Sequence, residues 1–166
     1  HIQSVKGGEV KHKEFLADPK DGNMRRTLAD QLIKDMGTNG DVIVYNQGFE
    51  SSRLKELVRD YPEYGNALNG IRDRMVDLAV PFQRKLYYTA EMRGRYTIKN
   101  VLPALVPELS YKDLEIQEGS TASLSYLQMV EGTFKGDEVE LKKSLLEYCK
   151  LDTLAMVKIL EILTGI

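Results

Sequence analysis

The chain has one cysteine, no tryptophan, two histidines and no apolar run of membrane-spanning length. The single cysteine, Cys149, excludes an intramolecular disulfide and fits a reducing compartment, most simply the cytoplasm. It reads as a small helix-packing residue rather than a nucleophile. His1 and His12 lie near the start without a helical or strand partner of ligand type, which argues against a histidine- or cysteine-rich zinc centre. Nothing resembles a signal peptide or a membrane span, so no membrane is among the expected partners. Charge of one sign is also lacking: 23 Lys and Arg stand against 25 Asp and Glu, a formal net charge of −2. That balance excludes a broadly basic nucleic-acid binder, but not a local basic patch.

What is present is the composition of one globular domain over residues 1–166, with 42% hydrophobic and 29% charged residues. The chain begins at His1 without an initiator methionine, almost directly in strand-like sequence, and reads as a fragment of a longer protein. Gly7-Gly8 between His1–Lys6 and Glu9–Leu16 predicts a hairpin. Met24, Leu28, Leu32, Ile33 and Met36 have helical spacing, ended by Gly37. Val42-Ile43-Val44-Tyr45 predicts a buried strand over 41–45, and a helix comes next over 49–60 until Tyr61-Pro62. A second helical piece reaches about residue 72, and Met75–Leu78 is a short strand or extended stretch. Pro81 is expected to interrupt the segment after it. Thr97 predicts a helix start, with a break at Pro103 or Pro107. Ser110–Gln117 reads as loop, 120–131 as helix, and Asp137 opens a last helix that runs nearly to the end. This order makes a small α/β domain, its sheet near the amino end and its terminal helix packed on that sheet.

Two acids fall on inward faces. At 100° per residue, Leu141, Leu145, Tyr148, Asp152, Met156 and Ile159 share one stripe of the last helix. A carboxylate on such a face is costly unless its charge is compensated, and a divalent metal ion is one compensator. A Lys or Arg partner in a partly solvated setting is the plainer one. Glu50 shares its helix face with Leu54, Leu57 and Tyr61, just beyond the carboxyl end of a strand, where ligands of α/β folds bind. Its plainer reading is a first-turn Glu favoured by the helix dipole. If a metal binds, it is a hard one such as Mg²⁺ or Mn²⁺.

Residues 84–99 hold Arg84, Lys85, Arg93, Arg95 and Lys99 against the single acid Glu91, with Tyr87, Tyr88 and Tyr96 interleaved. Cations meet phosphates and rings stack on bases, so the segment suits single-stranded nucleic acid. Its alternative is a solvated loop whose tyrosines tuck into the core.

Asn46-x-x-Phe49-Glu50 after an apolar strand resembles the second motif of DEDD-type 3′–5′ exonucleases. Tyr148-x-x-x-Asp152 on a late helix resembles their third motif in its tyrosine form. The wording Val-Tyr-Asn-Gln-Gly-Phe-Glu at 44–50, Arg-Met-Val-Asp-Leu at 74–78, Tyr-Thr-Ile-Lys-Asn-Val-Leu-Pro-Ala-Leu at 96–105 and Leu-Ser-Tyr-Lys-Asp-Leu at 109–114 resembles one bacterial domain family of unknown function with a ribonuclease H-like exonuclease core. The resemblance covers essentially the whole chain. It implies a ribonuclease H-like α/β fold, amino-terminally truncated, with a small sheet and several packed helices. It implies two-metal phosphodiester hydrolysis with two Mg²⁺ or Mn²⁺ ions. Asp152 and Glu50 would then be metal ligands, and Tyr148, one helical turn from Asp152, would orient the attacking water. Asn46, Arg93, Arg95, Tyr96 and Lys99 would face DNA or RNA, single-stranded.

Two departures stand against this pattern. Glu50 occupies a position where most such exonucleases have Asp. The first motif, Asp-x-Glu on a central strand, is absent, because Asp113-Leu114-Glu115 comes too late and reads as loop and edge sequence. The fragment is therefore expected to bind metal poorly and cleave nothing. The other readings are a non-catalytic nucleic-acid-binding or scaffolding module of the same fold, or an unrelated α/β enzyme or regulatory domain.

Overall fold

The computed structural model describes residues 1–165. The hairpin is shorter than its sequence signal. β1 (Ile2–Gln3) pairs antiparallel with β2 (Val10–Lys11), Ile2 opposite Lys11 and Gln3 opposite Val10. Gly7 takes a φ of 71° in the connection, where a residue with a Cβ is strained. Gln3 Nε2 donates to the Gly8 carbonyl at 3.0 Å and closes the loop. The remainder of the expected second strand, from His12 to Leu16, runs unpaired.

α1 (Met24–Met36) comes next and turns Ala29, Leu32 and Ile33 inward, while Leu28 and Met36 of the expected stripe are exposed. Gly37 ends it with a φ of 52°. Beyond that end, the Arg74 guanidinium donates to the carbonyls of Met36, Gly37, Asn39 and Gly40 at 2.6–3.3 Å. One side chain thus satisfies carbonyls that a helix terminus leaves without partners.

Arg74 directly precedes β4 (Met75–Asp77), which pairs in parallel with β3 (Val42–Val44): Val42 lies opposite Met75, Ile43 opposite Val76 and Val44 opposite Asp77. Parallel strands need a crossover, and here it is helical. α2 (Gln47–Asp60) leaves the carboxyl end of β3. Tyr61 stops it, Pro62–Tyr64 make one 3-10 turn, and α3 (Gly65–Asp73) returns. Val42, Val44, Leu54, Leu57, Leu68 and Ile71 close over Ala29 as one buried cluster.

Pro81 does not interrupt the chain. It sits in the first turn of α4 (Val80–Gln83), where the missing N–H costs nothing. After a 3-10 turn at Ala90–Met92, Thr97 precedes α5 (Ile98–Leu105). The Thr97 hydroxyl donates to Asn100 Oδ1 at 2.8 Å instead of accepting a backbone amide. Pro103 lies inside α5, which ends two residues later. α6 (Gly119–Val130) and α7 (Glu138–Thr164) complete the order. Asp137 caps α7, its side chain accepting from the amides of Val139 and Glu140 at 2.8 and 3.3 Å.

α7 does not simply lie on a sheet. Leu141, Leu145 and Tyr148 pack with Leu102 and Val106 at α5, Met129 of α6, and Tyr111 and Ile116 of the loop between them. Only its later turns, at Met156 and Ile159, reach the cluster of Leu78, Phe82 and Val101 that Ile43 of β3 also packs against. The reason is area: two strands per sheet offer too small an apolar face for a helix of 27 residues. Among the described residues the architecture is mixed α/β and mostly helical, with two separate two-stranded sheets. Among the described residues no helix is long and apolar enough to cross a membrane. Cys149 lies on the exposed side of α7, contrary to the packing role its sequence context implied.

Candidate functional site

The turn from β3 into α2 is pinned from the side by Asp77. Asn46 is left-handed, with φ 70° and ψ 67°. Asn tolerates that conformation better than most residues with a Cβ. Asp77 Oδ1 accepts from the backbone amides of Asn46 and Ala79, and Oδ2 from that of Gln47, each at 2.9 Å. A carboxylate at the last residue of β4 thereby caps the start of a helix that begins thirty residues earlier.

That cap sets the first turn of α2 and so places Glu50. Glu50 is half-buried, and its Oε2 is buried without a hydrogen-bond partner. Burial holds its pKa above the ordinary carboxylate value. Its own backbone N–H partly offsets this, and the charges of Asp77 and Asp152 push it further up. The Asp152 charge, on α7, thus reaches Glu50.

Asp152 has phenol and lysine neighbours, in line with the plainer of its two readings. Tyr111 donates its hydroxyl to Asp152 Oδ1 at 2.5 Å, and Tyr148, one helical turn earlier on α7, also favours the charged carboxylate. Burial raises the Asp152 pKa, and the two phenols and the positive charge of Lys99 pull it back. The cost falls on the phenols: Tyr148 is pushed up to about 12 by burial and then by the Asp152 charge. Tyr111 moves the same way for the same causes, burial first. The two rings lie 6.0 Å apart. Lys99 Nζ sits 5.7 Å from the Tyr111 ring centre and donates to the Gln117 carbonyl at 2.5 Å.

Tyr111, Lys99 and Asp77 are thus the parts of this site that the two acidic motifs do not announce. Asp77 had a legible sign, a polar residue closing a short apolar strand. Tyr111 stands in an irregular loop, where no periodicity marks which side chains turn inward. Lys99 leaves the basic segment for the acid cluster. Tyr87 packs edge-on against Phe82, their ring centres 5.9 Å apart, while Tyr88 and Tyr96 are exposed. Arg84, Lys85, Arg93 and Arg95 are exposed, and among the described residues none of these four forms an ion pair.

The donor set fits a hard cation only in part. Glu50 offers an orphaned oxygen and Asp152 a second carboxylate, whereas both Asp77 oxygens are taken by backbone amides. Among the described residues, no three His, Cys, Asp or Glu side chains converge closely enough to hold a metal ion. Hard divalent ions take about six oxygen ligands. The residues here do not make such a centre by themselves.

The orphaned Glu50 oxygen carries a stability prediction. A carboxylate whose pKa is raised on folding favours the fold below its unfolded pKa, and that contribution is lost as pH rises through the folded pKa. Glu50→Gln is therefore expected to raise the urea midpoint at neutral pH and to leave it unchanged at acidic pH. Solvent screening at a half-buried group keeps the gain below about 1 kcal/mol. An equal gain at both pH values would assign the effect to something other than the charge.

The class that the fold and site define is a mixed α/β domain, with Glu50 just beyond the end of a parallel strand and Asp152 held by Tyr111 near Tyr148 and Lys99. The chain belongs to the family described as domain of unknown function (DUF2779), whose model matches residues 1–97. It is 28% identical over 169 residues to uncharacterized protein UU173 of Ureaplasma parvum serovar 3, across 90% of this chain and 24% of that protein. It is 26% identical over 146 residues to the uncharacterized MG366 homolog of Mycoplasma pneumoniae, across 81% of this chain and 22% of that one. The MG366 protein of Mycoplasma genitalium is 25% identical over the same coverage. The chain spans about a quarter of the length of these curated relatives. No solved structure matches it.

Proposed function

We propose that this chain is part of a nuclease domain with a ribonuclease H-like core of the DEDD exonuclease type, acting on single-stranded DNA or RNA with Mg²⁺ or Mn²⁺. One observation supports the reading: Glu50, half-buried with one carboxylate oxygen unpartnered, stands in the first turn of α2 just after β3, and Asp152 follows Tyr148 by one turn on the inward side of α7. The position of that site, just beyond the carboxyl end of β3, is where α/β folds place ligands. Glu50 and Asp152 are the residues that would hold metal, and the remaining ligands would come from outside the described residues. Divalent ions bound there would supply charge neutralisation and an acidified water. Tyr148, with a hydroxyl that both donates and accepts, is the residue that would orient a water beside Asp152. The test compares the isolated 166-residue chain with the full-length protein on a labelled single strand in Mg²⁺ or Mn²⁺. Hydrolysis by the full-length protein alone supports the reading, and hydrolysis by the isolated chain overturns the account of missing ligands.

A second reading has its own observation. Asp152 is already balanced by Tyr111, Tyr148 and Lys99, as a structural acid would be. A full-length protein that binds single strands and never cuts them would be a non-catalytic nucleic-acid-binding or scaffolding module.

Both readings need a path for the strand, and the exposed cations of residues 84–95 supply one. Replacing Arg93 and Arg95 with Ala is expected to weaken single-strand binding and to lower the slope of log K against log salt by about 1.4, some 0.7 per lost phosphate contact. An unchanged slope in the double variant would remove these arginines from the path.

A further inference from the structure

We propose that the cleft between the β3–α2 turn and the start of α5 is a pocket for one unstacked nucleobase. The proposal rests on the nucleic-acid reading above and adds to it the place where a base is held. The cleft has a volume of about 310 Å³ and is lined by Tyr45, Asn46, Gln83, Tyr96, Thr97 and Ile98, among others. Its size is at the lower end for small-ligand sites, right for a planar ring system.

Its chemistry is that of a base rather than of a phosphate. Among its polar lining groups, Asn46 and Gln83 are amides, each of which both donates and accepts, as the edge of a base does. Gln83 is exposed, and its side chain makes no hydrogen bond among the described residues. The apolar part of the wall is aromatic and aliphatic. Tyr96 lines the cleft and is 49% exposed, which leaves part of its surface available to a stacking partner. Tyr45 is fixed as part of the wall, its hydroxyl donating to the Tyr96 carbonyl at 2.5 Å and its ring stacked at 6.5 Å on Phe82. That bond holds the backbone of Tyr96 in place and leaves its ring free. The cleft also joins the two parts of the proposed function. Asn46 belongs to the turn that places Glu50, and Tyr96 comes directly after Arg93 and Arg95.

The experiment uses the full-length protein and short single strands carrying 2-aminopurine at one position at a time, at low salt and without divalent ions. Strand binding is read by anisotropy, and base capture by 2-aminopurine fluorescence. One position is expected to change its fluorescence on binding. Tyr96→Ala should abolish that change and weaken binding about tenfold, within the range of one lost base–aromatic stack. Tyr96→Phe should retain both. Gln83→Ala should reduce the fluorescence change at the same position. An abasic site there should make wild type and Tyr96→Ala bind equally. Neither substitution removes a group that holds the fold, because the carbonyl of Tyr96, not its ring, carries the Tyr45 bond. Strand binding that is insensitive to Tyr96→Ala, with no position-specific fluorescence change, overturns the base pocket and leaves the nucleic-acid reading standing. Absence of any strand binding by the full-length protein overturns both.

Discussion

On the nuclease reading proposed above, Asp152→Asn in the full-length protein is expected to abolish hydrolysis of a single strand while leaving the fold intact. The fall should reach at least the 10²–10³-fold that loss of one charge-stabilising group typically costs. The substitution separates charge from packing. An asparagine oxygen can still accept the Tyr111 hydroxyl, so the loop between α5 and α6 keeps its anchor on α7. What disappears is the negative charge that Lys99 faces and that raises Glu50. The same change predicts stability. Burial holds the Asp152 pKa up, so ionising it opposes folding as pH rises, and the amide relieves that opposition. The urea midpoint of Asp152→Asn should therefore equal or exceed that of wild type at neutral pH. Tyr111→Phe is the contrasting variant: it leaves the charge and removes one donor, which leaves Asp152 with Tyr148 and Lys99. Its activity should fall much less. Full activity of Asp152→Asn would take Asp152 out of the reaction. An inactive wild type with unimpaired strand binding would favour the binding module.

How far this site could be read from sequence depends on which residues sat on regular elements. Helical periodicity placed Asp152, Tyr148 and Leu145 on one face of α7, and that face is the buried one. The strand–turn–helix pattern around Asn46 was legible because Gly40, the Val-Ile-Val run and Tyr61-Pro62 punctuate it, and α2 forms between them. Periodicity failed at α1: Leu28 fits a helical stripe yet faces water, because Ala29, Leu32 and Ile33 already fill the space over α2 and α3. It also failed for the hairpin, where glycine spacing predicts a turn but not how many residues pair beyond it. The compensation of Asp152 was unreadable for a different reason. Tyr111 and Lys99 meet Asp152 only through tertiary packing of a loop and a short helix, and neither has a local pattern that points at α7. Reading Lys99 with Arg93 and Arg95 as one basic stretch grouped residues by sequence proximity. The structure divides them at the start of α5.

Asp77→Ala is expected to cost about 2–4 kcal/mol, because it leaves three backbone amides without their acceptor at once. The amides belong to two segments, the turn into α2 and the turn after β4, so a single side chain ties the carboxyl ends of both parallel strands. Asn46 is exposed, and water recovers part of its bond, which keeps the cost below the sum for three buried amides. Asp77→Asn should be milder. Its one oxygen can stand where Oδ1 accepts from Asn46 and Ala79, but its NH₂ would then face the Gln47 amide, donor against donor. Urea unfolding checks both, with a lower midpoint and an unchanged slope as the signature of lost native stability. Asp137→Ala calibrates the scale, since it removes an ordinary cap from an exposed helix start and should cost about 1 kcal/mol. The functional consequence goes through Glu50, three residues into α2, whose position depends on that turn. Under conditions where Asp77→Ala is still fully folded, the proposed nuclease activity of the full-length protein should fall with it, because Asp77 spends three acceptor sites on the turns that place Glu50. A variant that unfolds at the wild-type midpoint would show that the turn is held by other contacts, and would remove Asp77 from the support of the site.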